Sequence, residues 1–400
     1  MLLIAVVVIA VVGFAGYRVV HKHKSTVNNS SPAQTSTSND DKAIAAGRQL
    51  SSNQCHGTGE TSFTHLPMNA DDFSILIPYG VTTGGHVTPV DHQYFSPTIF
   101  NSAKDKYPVY AMADAKITSI EVHPTRIRLV FSVSCTFFYY YDLLTSVQPG
   151  IDDKHLPIDV KAGQLIGHIG GQTLDFAVWN TKKSLSGFVN PSSYDGEAWK
   201  IYTADPFPYY SADLRTIVES KDPRVAPPIA GKIDYDIDGK LIGNWFLQGS
   251  GGYHSQSNQT QFYWAGHLSI APDLYDPSAT VVSVGNYTDY PGTNPDTSTG
   301  DGSAARQYFA YAGSPDPAKI SQSSGLVKFE LVQRQWLDSS GNLWDNMHYI
   351  KAPKAKNNGA VMGTALFQLT GKRTLKVEMF PGKIAAQVNG FDSNAKIYTR

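Results

Sequence analysis

Three short stretches of this chain carry side chains that could do chemistry. Gly84-Gly85-His86-Val87-Thr88-Pro89-Val90-Asp91-His92 offers two imidazoles and a carboxylate. Tyr140-Tyr141-Asp142-Leu143 and Thr173-Leu174-Asp175 add two carboxylates and a hydroxyl. Histidine and aspartate are residue types that ligate divalent cations or move protons. Thr173 and Asp175 are two apart, so on a strand they share a face. Asp91 and His92 are adjacent, so on a strand only one of them lines a given site. Neighbouring carboxylates repel unless a cation or proton intervenes. The same residues have structural uses. Asp91 and His92 can bond a turn after Pro89, Asp142 can cap a turn of helix, and Asp175 can pair with Arg126.

The elements that must position these groups are strands. From Arg126 to Cys135 the apolar residues Ile127, Leu129, Phe131, Val133 and Cys135 recur every second position, which predicts a strand with one buried face. Val327, Phe329 and Leu331, and later Leu375, Val377 and Met379, alternate in the same way. A short helix is expected over 41–50, and Gly285 to Ala304 reads as a long exposed loop. Lys221 to Pro228 reads as an exposed boundary between two β units.

Two further stretches complete a pattern with the first: Pro108-Val109-Tyr110-Ala111-Met112-Ala113-Asp114-Ala115-Lys116-Ile117 and Val160-Lys161-Ala162-Gly163-Gln164-Leu165-Ile166-Gly167-His168-Ile169-Gly170. Residues 75–180 thereby resemble the lysostaphin-type zinc metallopeptidase domain, which cuts peptide cross-bridges in peptidoglycan. They also resemble the barrel-sandwich hybrid scaffold of lipoyl-type domains. The catalytic positions depart from the family pattern. Where the family has H-x-H this chain has Thr173-Leu174-Asp175, and where it has Tyr-x-His-Leu this chain has Tyr140-Tyr141-Asp142-Leu143. His86 stands five residues before Asp91 instead of four. The resemblance leaves His86, Asp91 and Asp175 as an oxygen-rich metal set, with Asp142 and Thr173 as the catalytic candidates. Such a set is a harder or weaker site than a nitrogen-dominated catalytic zinc. Replacement of both the base and the nitrogen ligand points to lost hydrolase chemistry, so no cofactor is expected, zinc or another divalent metal being the alternative.

Composition bounds the rest. Lys+Arg 33 against Asp+Glu 34 gives a net charge of -1, so no basic excess exists for nucleic acid. Residues 2–17 contain no charge, and with Arg18 snorkelling the span extends to residue 20. A transmembrane anchor is expected over 1–20, the alternative being a cleaved signal peptide. Arg18, Lys22 and Lys24 follow the span, which by the positive-inside rule alone would place the bulk of the chain in the cytoplasm. The Ser/Thr/Asn-rich stalk and the peptidoglycan-peptidase resemblance place it outside. The expected localisation is therefore the cell membrane, single-pass, with the bulk of the chain extracytoplasmic. Cys55 and Cys135 are either two buried thiols or one disulfide.

The expected fold is mainly β: anchor 1–20, polar stalk 21–54, a β-sandwich or barrel-sandwich hybrid domain over 55–222, and an all-β barrel or sandwich over 223–400. Gly243-Asn244-Trp245 in the last is similar to the Gly-x-Trp of lipocalins, whose Trp closes one end of an eight-stranded barrel. Three functions follow as expectations. The first is a non-catalytic binding or scaffolding module at the cell envelope, with peptidoglycan or another cell-surface glycan as partner. The second is an active metal-dependent cell-wall endopeptidase. The third is a carrier or sensor binding a ligand in the C-terminal barrel. Trp264, Trp336, Trp344, Tyr253, Tyr263 and Tyr349 would line a ligand surface or fill a β core.

Overall fold

The computed structural model describes residues 38–253, 263–287, 290 and 305–400. The expected anchor, residues 21–37 of the stalk, and most of the loop from Gly285 to Ala304 lie outside them. Among the described residues no helix is long and apolar enough to cross a membrane.

Helix α1, Asn39–Leu50, starts where a helix should. The Ser38 hydroxyl accepts from the Asp41 N–H, Asp41 reaches back to the Ser38 N–H, and Asp40 and Asp41 lie at the positive end of the helix dipole. Its Gly47 presses on the turn that carries Cys135. A Cβ there would stand 1.7 Å from the Cys135 carbonyl oxygen, so only glycine permits the contact. Cys55 and Cys135 are bonded, with Cα atoms 4.9 Å apart.

The first β unit contains β1 (Phe73–Ile77), β2 (Gln93–Pro97), β3 (Tyr107–Tyr110), β4 (Ala115–Val122), β5 (Ile127–Ser132), β6 (Phe137–Leu144), β7 (Ser146–Val147), β8 (Ile158–Val160), β9 (Leu165–Ile169), β10 (Leu174–Asn180) and β11 (Thr203–Ala204). The main sheet runs β1-β2-β10-β6-β5-β4-β8, with β11 on β10, and β3-β9-β7 form a second sheet. Strand β6 reads Phe-Phe-Tyr-Tyr-Tyr-Asp-Leu-Leu and is buried along its whole length. It carries no polar alternation because both of its faces are covered. Tyr139 packs on Phe63 and Phe131 in the core, while Tyr140 and Asp142 face the other way, beside Ala177 and Asp175 of β10. The expected strand to Cys135 stops at Ser132. There the chain turns, and the Val133 and Ser134 N–H groups both donate to the Phe137 carbonyl.

After helix α2, Ala212–Ser220, the chain enters a closed antiparallel barrel. Its strands are β12 (Gly243–Leu247), β13 (His267–Pro272), β14 (Thr280–Val284), β15 (Arg306–Ala310) and β16 (Val327–Gln333). A small pair, β17 (Trp336–Leu337) and β18 (Lys354–Ala355), interrupts before β19 (Val361–Gly371), β20 (Thr374–Pro381) and β21 (Lys396–Thr399). Strand β21 pairs back onto β12, Phe246 opposite Thr399, so no edge is left. Trp245 is fully buried in the barrel and donates to the Leu241 carbonyl at 2.8 Å. The Arg400 guanidinium lies 4.0 Å from its ring centroid.

The expected exposed boundary at Lys221–Pro228 is not exposed along its first half. Asp222 and Arg224 are buried, and the Arg224 guanidinium donates to the Leu274 and Pro228 carbonyls. An arginine fork satisfied by backbone carbonyls on both sides draws the segment inward. Apolar contacts also cross it, since Val81, Val90 and Tyr94 share a cluster with Leu274, Val281 and Phe309.

Candidate functional site

The site lies on the face of the main sheet opposite the aromatic core. Strand β10 presents Asp175 between two neighbours: Tyr94 is its partner on β2 and Asp142 its partner on β6. Asp91 and His92 precede β2 in a bend, so strand alternation does not apply to them. Both turn to the same place. His92 Nδ1 is 3.4 Å from Asp91, and its Nε2 is 3.3 Å from Asp175 and 3.0 Å from the Tyr94 hydroxyl. This corrects the expectation that only one of the pair could line the site.

The other expected residues gather around this imidazole. His86 stacks edge-on to His92 with ring centroids 5.5 Å apart. Burial, with His92 and Lys200 nearby, lowers His86 to about 3. The Thr173 hydroxyl donates to Asp175 at 3.3 Å, which makes it a support for that carboxylate. Burial pushes Asp175 up to about 7, His92 opposing and Asp142 adding to the rise. Arg126 pairs with Asp142, where the sequence suggested Asp175 as its partner. The other Asp142 oxygen accepts the Leu143 N–H at 2.7 Å, in a strand and not at a helix end.

The residues that decide the chemistry come from a segment with no motif. Pro191–Tyr202 crosses this face as 3₁₀ turns. Trp199 Nε1 donates to one Asp91 oxygen at 2.8 Å, and Lys200 Nζ donates to the other at 2.7 Å. Glu197 lies 2.9 Å from the same ammonium. Trp199 also stacks on Trp179, and the Arg128 guanidinium stands 4.5 Å from the Tyr140 ring and 4.8 Å from the Trp199 ring. Burial would raise Asp91, but the Lys200 ammonium and His92 outweigh it and hold the carboxyl well below the usual range. The only sequence signal for Lys200 was the unbalanced acidic charge itself, which demands a cation without naming one.

A zinc ion at Asp91 or Asp142 would have to displace protein partners. Both Asp91 oxygens are occupied by protein N–H groups, Asp142 is held by Arg126, and His86 offers one nitrogen at the edge. Among the described residues no group of three or more His, Cys, Asp or Glu side chains is arranged to hold a metal ion.

No protein-family model matches this chain, and no curated protein matches it. Among solved structures it is similar to Helicobacter pylori Csd3 in a hexagonal crystal, with 16% identity over 32% of this chain and 33% of that chain and a TM-score of 0.24. It is similar to a zinc-containing peptidase from Vibrio cholerae, with 21% identity over 32% of this chain and 39% of that chain and a TM-score of 0.25. The catalytic domain of the antimicrobial peptidase lysostaphin from Staphylococcus simulans gives 19% identity over 40% of this chain and 95% of that chain, with a TM-score of 0.20. The chain thus spans under two fifths of the length of the first two.

The aromatic residues named for the second unit are buried mostly against the first unit and not inside the barrel. Trp264, Trp336 and Tyr253 are buried, Trp344 is half-buried and Tyr349 is exposed, while the Tyr263 side chain lies outside the described set. Trp264 closes over Gly85, and the Tyr253 hydroxyl bonds Thr88, so the second unit covers the loop that carries His86.

Proposed function

We propose that this chain is a membrane-anchored, extracytoplasmic cell-envelope protein whose first β unit is a lysostaphin-type domain that has lost catalysis and serves as a binding or scaffolding module. The observation that carries this reading is Lys200 Nζ at 2.7 Å from Asp91. A buried ammonium supplies the positive charge that a metal would otherwise bring, and it brings no water to activate. The expected partner is peptidoglycan or another cell-surface glycan. The barrel reading as a small-ligand carrier is disfavoured by its filled interior, where Trp245, Leu268, Phe329, Phe367, Val377 and Tyr398 are all buried in one cluster.

The test uses the purified full chain. Elemental analysis is expected to find no stoichiometric zinc, and incubation with cross-linked cell walls is expected to release no peptides while the protein sediments with the insoluble wall. Metal-dependent release of peptides, abolished by Asp91→Ala, would establish an active endopeptidase instead.

A further inference from the structure

We infer that Lys200 and Asp91 are the two halves of an intramolecular isopeptide bond, with Glu197 as the proton carrier. The inference goes beyond the binding-module reading and agrees with it, because an amide at Asp91, like the ion pair, keeps that carboxyl from ligating a metal. An amide between these side chains needs an amine beside a carboxyl, an adjacent acid to move protons, and a site that excludes water. All three are present. Lys200 Nζ is 2.7 Å from Asp91 Oδ1, and with a C–O bond of about 1.2 Å the carboxyl carbon is within about 4 Å of the amine. Glu197 Oε2 is 2.9 Å from the same nitrogen. The side chains of Lys200 and Asp91 are 8% and 5% exposed, and the ammonium sits 4.9 Å from the Tyr253 ring centroid.

The step balances without a co-reactant. The ion pair is the resting form, and the step starts from its minor tautomer, in which one proton has passed from the ammonium to Asp91 Oδ1 and leaves a neutral amine and a neutral acid. The Nζ lone pair attacks the carboxyl carbon. Negative charge then develops on Asp91 Oδ2, where the Trp199 N–H already donates at 2.8 Å and acts as an oxyanion donor. Glu197 takes a proton from the attacking nitrogen and delivers it to the departing Oδ1 hydroxyl. The C–O bond breaks, the C–N amide bond forms, and one water leaves. Condensation is unfavourable between free solutes in water, but two groups held at contact distance gain the large effective concentration of an intramolecular reaction. The product joins positions 109 residues apart and fastens the 3₁₀ segment to the head of β2.

Mass spectrometry of the full chain, reduced and denatured, tests this. The wild-type protein is expected to yield a branched tryptic peptide joining the Asp91 and Lys200 segments, lighter than the two peptides by one water, with no cleavage after Lys200. Lys200→Arg is expected to abolish the branched peptide, and Glu197→Gln to leave most of the chain uncross-linked. Asp91→Asn should still cross-link but lose ammonia in place of water. Separate Asp91 and Lys200 peptides of full mass from the wild type would overturn the bond and leave the ion pair, so the binding-module reading would survive. This readout on the wild type does not depend on any variant folding. A branched peptide that forms equally in Glu197→Gln would overturn the role of Glu197.

Discussion

Asp142 and Asp175 stand directly opposite each other on β6 and β10, yet each carboxylate is matched to a different partner. Asp142 takes Arg126 and Asp175 takes His92. Two carboxylates at facing positions of an antiparallel pair would otherwise destabilise it.

Removing one of these partners should therefore cost more than an exposed ion pair would. Arg126→Met leaves Asp142 buried and uncompensated beside Asp175, and a loss of roughly 3 kcal/mol is expected in urea unfolding. Adding Asp142→Leu to the same chain should recover most of it. Equal stability of the single variant and the wild type would mean that the pair is not desolvated.

The pH dependence of stability should contain two opposing slopes. Asp175 is raised from 3.8 to about 7, so the folded state holds a proton the unfolded chain has released. Its stabilisation is complete below 3.8 and is lost as pH rises through 7. His86 is lowered from 6.5 to about 3, so its contribution instead rises with pH between those values. Relative to wild type, Asp175→Asn should remove the falling slope and His86→Gln the rising one. Urea midpoints measured from pH 4 to 8 check both signs.

The disulfide should stabilise the entire first unit. Cys55 and Cys135 close a loop with a separation of 80 residues, for which chain entropy gives roughly 4 kcal/mol. Cys55→Ser with Cys135→Ser is expected to lower the thermal midpoint markedly and to free α1, which would show as faster amide exchange over 39–50. Unchanged exchange there would mean that the Gly47 contact alone holds the helix.

Trp245 should be the costliest single truncation in the barrel. It is fully buried, its N–H is bonded, and Arg400 covers its ring. Trp245→Ala is expected to cost about 3–5 kcal/mol, because the emptied volume cannot collapse inside a closed barrel. Arg400→Ala should cost less but act on the same end, so the two effects should add to less than their sum.

What the chain determines by itself is periodic or local. Alternation placed β16 and β20, since apolar residues every second position must share one buried face. The apolar pattern around 41–50 indicated α1, while the Gly-x-Trp stretch left barrel and sandwich open, and only the pairing of β21 with β12 closed the barrel. Residues as far apart as Asp91, Asp142 and Asp175 could be grouped only through the resemblance to the lysostaphin-type domain, whose motif positions they occupy. Their neutralising partners could not be found in the same way. Lys200, Trp199 and Glu197 sit in irregular turns with no periodicity, and their side chains reach Asp91 only because the segment folds back across the sheet. The bend that lets Asp91 and His92 face one place is likewise invisible to strand alternation, since both residues lie just before the strand. A carboxylate's need for a cation is a local property of its chemistry. Which cation answers it depends on long-range packing, and here that packing sets an ammonium, not a histidine pair, against the expected site.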